Sequence, residues 1–184
     1  MMNLEELRNQ IPEPARDIKL NLQSVLAQSV LSPAQTWGVA VAAAVATRNP
    51  ALRAAIVSEA RKHVTEAVID DALAAAALMA MNNVYYRFRH LVENPSYGTK
   101  PARLRMNRMV KPLGDKVDFE LFSCAVSALN GCGTCMHAHE RVVVGGGLTE
   151  EHVHDAVRIA ATLAAAAVAL EMRAELAPGV GEAA

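Results

Sequence analysis

VTEAVIDDALAAAALMA, residues Val64–Ala80, and LTEEHVHDAVRIAATLA, residues Leu148–Ala164, are two versions of one pattern. Thr65 aligns with Thr149, Glu66 with Glu150 and Asp71 with Asp155, each pair 84 positions apart. Each stretch opens on a threonine able to cap a helix, puts an acidic side chain in the first turn, and then runs through Ala, Leu, Ile and Met without strand alternation. The segments upstream fit the same repeat: Trp37–Thr47 falls about where Phe122–Cys132 lies, with one residue of slippage. The pattern predicts an all-α fold of two related helical halves, about 1–94 and about 102–177, within one domain, followed by a tail at 178–184.

Composition agrees with that reading. A chain of 184 residues is long enough for one compact core and too short for several modules. Apolar residues make up 52% and charged residues 20%, which excludes intrinsic disorder. Aromatics are only 4%, so the core must be built from Ala, Val, Leu and Met, small side chains that suit closely approaching helices. A net charge of −1 removes the overall attraction that nucleic acid or an anionic membrane would exploit, so neither is an expected partner.

Helix punctuation recurs along the chain. Leu4–Gln10 precedes Ile11-Pro12, and a second helix is expected from Pro14 to about Val30. Ser32-Pro33 and Asn49-Pro50 each start a further helix, the first over Ala34–Thr47 and the second reaching His63. A long helix follows from Thr65 to about Leu91, then breaker-rich loops around Asn94–Pro101 and Lys111–Gly114. Asp118 reads as the cap of a helix over Phe119–Leu129. After Asn130-Gly131 another helix starts at the Cys132 segment and stops at Gly145–Gly147, and Thr149 opens the last, to about Leu176.

Met1–Asp17 lacks the apolar core of a signal peptide, and the longest apolar run, Ile159–Leu170, is shorter than the roughly 18–20 residues of a membrane span. A cytoplasmic location is therefore expected. Three cysteines make no disulfide framework, and in a reducing compartment any disulfide would be transient.

The chemistry concentrates in Asn130-Gly131-Cys132-Gly133-Thr134-Cys135-Met136-His137-Ala138-His139-Glu140. A C-x-x-C at a helix start puts both sulfurs on one face, near unpaired backbone N–H groups that favour a thiolate. His139 lies four residues after Cys135 and shares its face, whereas His137 points roughly opposite. If the Asn130-Gly131 break folds the preceding helix back, Glu120 approaches His139 and orients it as a base for a thiol. The plainer reading of Glu120 is a surface residue compensating the helix dipole. Zinc held by Cys132, Cys135, His137 and His139 in a non-catalytic helical protein is the rival for the cluster, two reduced core cysteines the plain alternative. Cys124, among Phe122, Ala125 and Val126, reads as a small buried hydrophobe, and His152 and His154 as surface.

These residues resemble the alkyl hydroperoxide reductase D family, within the wider carboxymuconolactone decarboxylase-like superfamily. The likeness runs through Asp17–Leu22, Ala46–Pro50, Met81–Arg87, Phe119–Leu121 and Ala125–Ala128 to the cysteine motif and Ala138-His139-Glu140. It implies an antioxidant dithiol enzyme, a homotrimer with no bound cofactor, that reduces a partner peroxiredoxin (alkyl hydroperoxide reductase C) and alkyl hydroperoxides. Its implied electron donor is a dihydrolipoyl group on the acyltransferase of an α-keto acid dehydrogenase complex, recharged by dihydrolipoamide dehydrogenase. The resemblance makes Cys132–Cys135 the redox disulfide, Cys132 the more accessible sulfur and proton donor, Cys135 the sulfenic acid intermediate, and Glu120 and His139 the proton relay. Thr134 stands where such proteins often carry a histidine and, with His137, is an auxiliary position. A decarboxylase or isomerase on the same scaffold is the other reading the superfamily allows.

Overall fold

In the computed structural model, which describes residues 3–176, with side chains to Met172, every regular element is helical. The helices are α1 (Leu4–Asn9), α2 (Arg16–Ala27), α3 (Pro33–Ala46), α4 (Pro50–Ala60), α5 (Glu66–Leu91), α6 (Pro95–Thr99), α7 (Asn107–Val110), α8 (Lys116–Leu129), α9 (Gly133–Gly145) and α10 (Glu150–Leu176). A 3-10 turn, Glu13–Ala15, precedes α2. The tail at 178–184 lies outside the described residues.

The repeat is visible in the elements. α3-α4-α5 and α8-α9-α10 correspond in order, with starts at 33 and 116, 50 and 133, 66 and 150, offsets of 83, 83 and 84. α3 and α8, both 14 residues long, pack on each other at the centre, and α5 and α10 flank both. Thr36–Ala44 of α3 and Phe119–Ser127 of α8 are buried on every side, as befits helices apolar all round.

The two halves are tied by a reciprocal exchange. Asp71 of α5 accepts from the backbone N–H groups of Leu113 (3.0 Å) and Gly114 (2.7 Å), just before α8. Asp155 of α10 accepts from Val30 N–H (2.9 Å), just before α3. Val30 and Gly114 are themselves 84 apart, so each half's long helix holds the entrance to the other half's first helix. The aligned aspartates are therefore buried because each satisfies otherwise orphaned donors.

These bonds explain several differences from the sequence reading. α2 ends at Ala27, short of Val30, because Ser29 and Val30 are engaged by Asp155. α8 starts at Lys116, one turn before Phe119, because Asp115 rather than Asp118 is the cap, accepting from Val117 (2.7 Å) and Asp118 (3.0 Å). Asp118 instead accepts from Gln35 Nε2 of α3 at 2.8 Å. Within the expected loop, Asn94 caps the single turn of α6 and Pro95 takes its first position. α5 and the Glu150–Met172 part of α10 are longer apolar helices than Ile159–Leu170 suggested, with mean hydropathies of 1.3 and 1.5 in the range of membrane spans. Their apolar faces are covered by α3 and α8, and α5 buries Asp71, Asn82 and Asn83 among them.

Ala-rich packing brings α3 and α8 so close that a Cβ on Gly38 would stand inside the Phe122 ring. Gly38→Ala is therefore expected to cost about 1–3 kcal/mol of stability through overpacking, despite alanine's better helix propensity. Urea unfolding checks it, and a neutral or stabilising result would show that the ring can move away.

Candidate active site

α8 ends in a Schellman motif. Cys132 N–H reaches back to Ser127 O (3.0 Å), Gly131 N–H to Ala128 O (3.1 Å), and Gly131 takes the left-handed conformation, φ 64°, that the motif needs. Cys132, the last residue of that motif, is also the N-cap of α9, so the chain reverses within three residues and delivers the cysteine motif to a helix start. α5 clamps this turn: Arg87 Nη1 donates to Asn130 O, Asn130 Nδ2 to Asn83 Oδ1 (2.9 Å), and Asn83 Nδ2 to Ser127 Oγ (2.9 Å).

Cys132 and Cys135 are joined as a disulfide, their Cα atoms 5.3 Å apart. In this oxidised form both cysteines are buried, Cys132 at 0% and Cys135 at 6% exposure. Cys135, and not Cys132, borders a cavity of about 320 Å³. Thr134, Ala138 and His139 of α9 line it, with Asn82 and Tyr86 of α5 and Met106 and Met109 opposite. The wall is largely apolar, with Asn82, Tyr86, Thr134 and His139 the lining residues that carry polar side-chain groups.

His139 is 6% exposed, and its Nδ1 lies 2.5 Å from Glu120 Oε2. Glu120 stands in the second turn of α8, 5% exposed, not at the surface as a dipole-compensating residue would be. Its other oxygen, Oε1, accepts from Lys116 Nζ one turn earlier. Burial raises the Glu120 carboxyl, but the bonds from His139 and Lys116 outweigh it and hold the group below the usual carboxylate range. An ionised Glu120 accepts a proton carried on Nδ1, which leaves Nε2 as the nitrogen not engaged by the carboxylate.

The other candidates separate cleanly. Thr134 is exposed on the cavity rim; His137 is exposed and outside the lining. Among the described residues no group of three or more His, Cys, Asp or Glu is arranged to hold a metal ion, so the zinc reading lacks its donor set. Cys124 is buried, its thiol pushed up to about 11 by burial and then by the charges of Glu140 and Glu120. After reduction, alkylation near pH 7.5 is therefore expected to label Cys135, which borders the cavity, with Cys124 reacting only on unfolding. Peptide mapping checks it, and equally fast labelling of Cys124 would contradict this burial.

Sequence reasoning missed Lys116, Asn82, Tyr86, Met106 and Met109. The Lys116-to-Glu120 spacing was a usable signal; the cavity wall is assembled by tertiary packing alone.

Comparison with known proteins bears on this arrangement. Residues 95–177, the half that carries the cysteines, match the carboxymuconolactone decarboxylase family. The chain is 67% identical over 172 residues to the alkyl hydroperoxide reductase AhpD of Anaeromyxobacter dehalogenans (strain 2CP-C), covering 94% of this chain and 92% of that protein. It is 51% identical over 174 residues to the protein of the same name from Solibacter usitatus (95% and 98% covered), and 51% over 181 residues to that of Bradyrhizobium sp. (strain BTAi1 / ATCC BAA-1182; 98% and 100%). Near-complete coverage at such identity, together with a cysteine pair at a helix start backed by a histidine–carboxylate pair, places the chain in the alkyl hydroperoxide reductase AhpD family, of carboxymuconolactone decarboxylase type.

Proposed function

We propose that this chain is a dithiol oxidoreductase that passes electrons from a dihydrolipoyl group to a peroxiredoxin (alkyl hydroperoxide reductase C) and directly to alkyl hydroperoxides. The observation that carries the reading is the Cys132–Cys135 disulfide, opening through Cys135 onto an apolar cavity that also holds the Glu120-backed imidazole. The cavity border favours Cys135 as the sulfur that meets incoming reagents. A donor thiolate attacks Cys135 Sγ, the S–S bond breaks, and Cys132 leaves as a thiolate at the start of α9. The donor's second thiol closes its own ring, its proton passing to the Cys132 thiolate, and releases Cys135, which takes from His139 the proton that the first donor thiol left there.

In the oxidative half, His139 Nε2 removes that proton and the Cys135 thiolate attacks the hydroperoxide. The O–O bond breaks, the alcohol leaves, and Cys135 carries a sulfenic acid. Cys132 then attacks that sulfur, its proton leaves with the hydroxyl as water, and the disulfide returns. Net, one hydroperoxide and two thiols give an alcohol, water and one disulfide. A peroxiredoxin disulfide is reduced by the same pair through a mixed disulfide. The dithiol favours this chemistry over decarboxylation or isomerisation, which have no use for it.

The same reading takes the chain as a cytoplasmic homotrimer that holds no cofactor and uses lipoyl groups of an α-keto acid dehydrogenase acyltransferase, recharged by dihydrolipoamide dehydrogenase. NADH oxidation with lipoamide, that dehydrogenase, the chain and an alkyl hydroperoxide tests it. Consumption that needs every component, and rises when peroxiredoxin is added, is expected. A rate no higher than that without the chain would overturn the proposal.

A further inference from the structure

Asn82 sits on α5, 3% exposed, and lines the cavity shared by Cys135 and His139. Its Nδ2 donates to Met109 Sδ at 3.4 Å. A thioether sulfur has no hydrogen to give, so the amide must turn its NH₂ to Met109 and its oxygen away. That oxygen, Oδ1, is buried and accepts from nothing among the described residues. Among the described residues, the other buried, unpartnered side-chain atoms, Arg8 Nε and Ser123 Oγ, belong to residues outside this cavity. A buried acceptor left unpaired forfeits its hydration without compensation and calls for an explanation.

With Cys132 and Cys135 joined, neither sulfur carries a hydrogen. Reduction adds two electrons and two protons, breaks the S–S bond and places an S–H on Cys135, the cysteine that borders the cavity with Asn82. Tyr86 and Thr134 line the same space, but their hydroxyls are present in both redox states and neither bonds Oδ1 here.

We propose that Asn82 Oδ1 accepts the Cys135 S–H in the reduced enzyme, so that an acceptor left unpaired in the disulfide form is satisfied only after reduction. The inference rests on the dithiol reading above. It makes Asn82 a positioning residue with two effects. It favours reduction, because the bond exists on one side of the redox equilibrium only. It also holds Cys135 as a neutral thiol until His139 takes the proton, since a hydrogen bond donated by the neutral form opposes ionisation.

The test is the equilibrium between the Cys132–Cys135 pair and mixtures of reduced and oxidised dithiothreitol, read by acid trapping, alkylation and mass spectrometry. Dithiothreitol needs no lipoyl specificity, so failure of the lipoamide assay and failure of this proposal are separate results. Asn82→Leu should leave about tenfold more disulfide relative to dithiol than the wild type, about 30 mV for a two-electron couple. The pH profile of Cys135 alkylation should move to lower pH in the variant. An equilibrium within twofold of wild type would overturn the proposal. Should Asn82→Leu fail to fold, the S–H stretching band of Cys135 in reduced protein carrying Cys132→Ser and Cys124→Ala decides. Displacement to lower frequency than a free thiol supports the bond, and an undisplaced band refutes it.

Discussion

Serine at position 135 is expected to abolish lipoamide-dependent hydroperoxide turnover, and serine at position 132 to do the same after a single oxidative event. The two variants should differ in what they leave behind. With Cys132→Ser, Cys135 still faces the cavity and can be oxidised once to a sulfenic acid, but no second thiol is present to expel water and close the disulfide. With Cys135→Ser, the remaining sulfur is the fully buried one, and no sulfenic acid should accumulate. A hydroxyl has neither the nucleophilicity nor the redox chemistry to substitute in either place. Steady-state assay gives the loss of turnover, and intact-mass analysis after one equivalent of hydroperoxide reads the oxygen atom gained. Full turnover by either variant would remove the dithiol mechanism, and oxygen retained on Cys132 instead of Cys135 would reverse the assigned order.

The second large effect is at the Glu120–His139 pair. His139→Ala removes the imidazole that lines the cavity and should slow turnover about 10²–10⁴-fold, the usual worth of a positioned general base. Glu120→Gln keeps the shape but not the charge. It should lose much of the same rate, because the amide no longer fixes the proton on Nδ1 and leaves Lys116 without its carboxylate. It should also change the pH dependence of stability. The Glu120 carboxyl titrates lower in the folded chain than its ordinary value of 4.5, so it binds fewer protons folded than unfolded near that pH. Its stabilising contribution is complete above about pH 4.5 and is lost as pH falls through the lowered folded value. Urea unfolding of wild type and Glu120→Gln from pH 3 to 7 should give curves that converge at the acid end. Parallel curves would mean that the carboxylate has no net favourable partner.

Much of this was legible in the sequence, for reasons that can be named. Ser32-Pro33 and Asn49-Pro50 set helix starts by local hydrogen bonding, and the structure has caps at both. The repeat announced two related halves because Asp71 and Asp155 stand in equivalent places. The sequence could not say that each aspartate serves the opposite half, since that exchange exists only once the halves pack together. The cap of α8 was misread for the same reason: Asp115 and Asp118 are equally good caps locally, and the hold of Asp71 on Gly114 favours the earlier start.

At the site, the i, i+4 relation of Cys135 and His139 is local and was readable; the approach of Glu120 needed the Gly131 reversal, which the Asn-Gly pair suggested. The cavity wall draws on α5 and the segment at Met106 and Met109, remote in sequence from the cysteines, and no spacing rule reaches that far.

The central claim is that the Cys132–Cys135 pair cycles between dithiol and disulfide as the chain consumes peroxide. The most direct measurement is stoichiometric: protein reduced by dihydrolipoamide and freed of excess reductant is titrated with an alkyl hydroperoxide while the Cys132–Cys135 peptide is followed by mass. The account predicts one disulfide formed and one alcohol released per hydroperoxide, reversed on renewed addition of dihydrolipoamide. Peroxide consumed with both thiols still free, or a disulfide that dihydrolipoamide leaves intact, would contradict it.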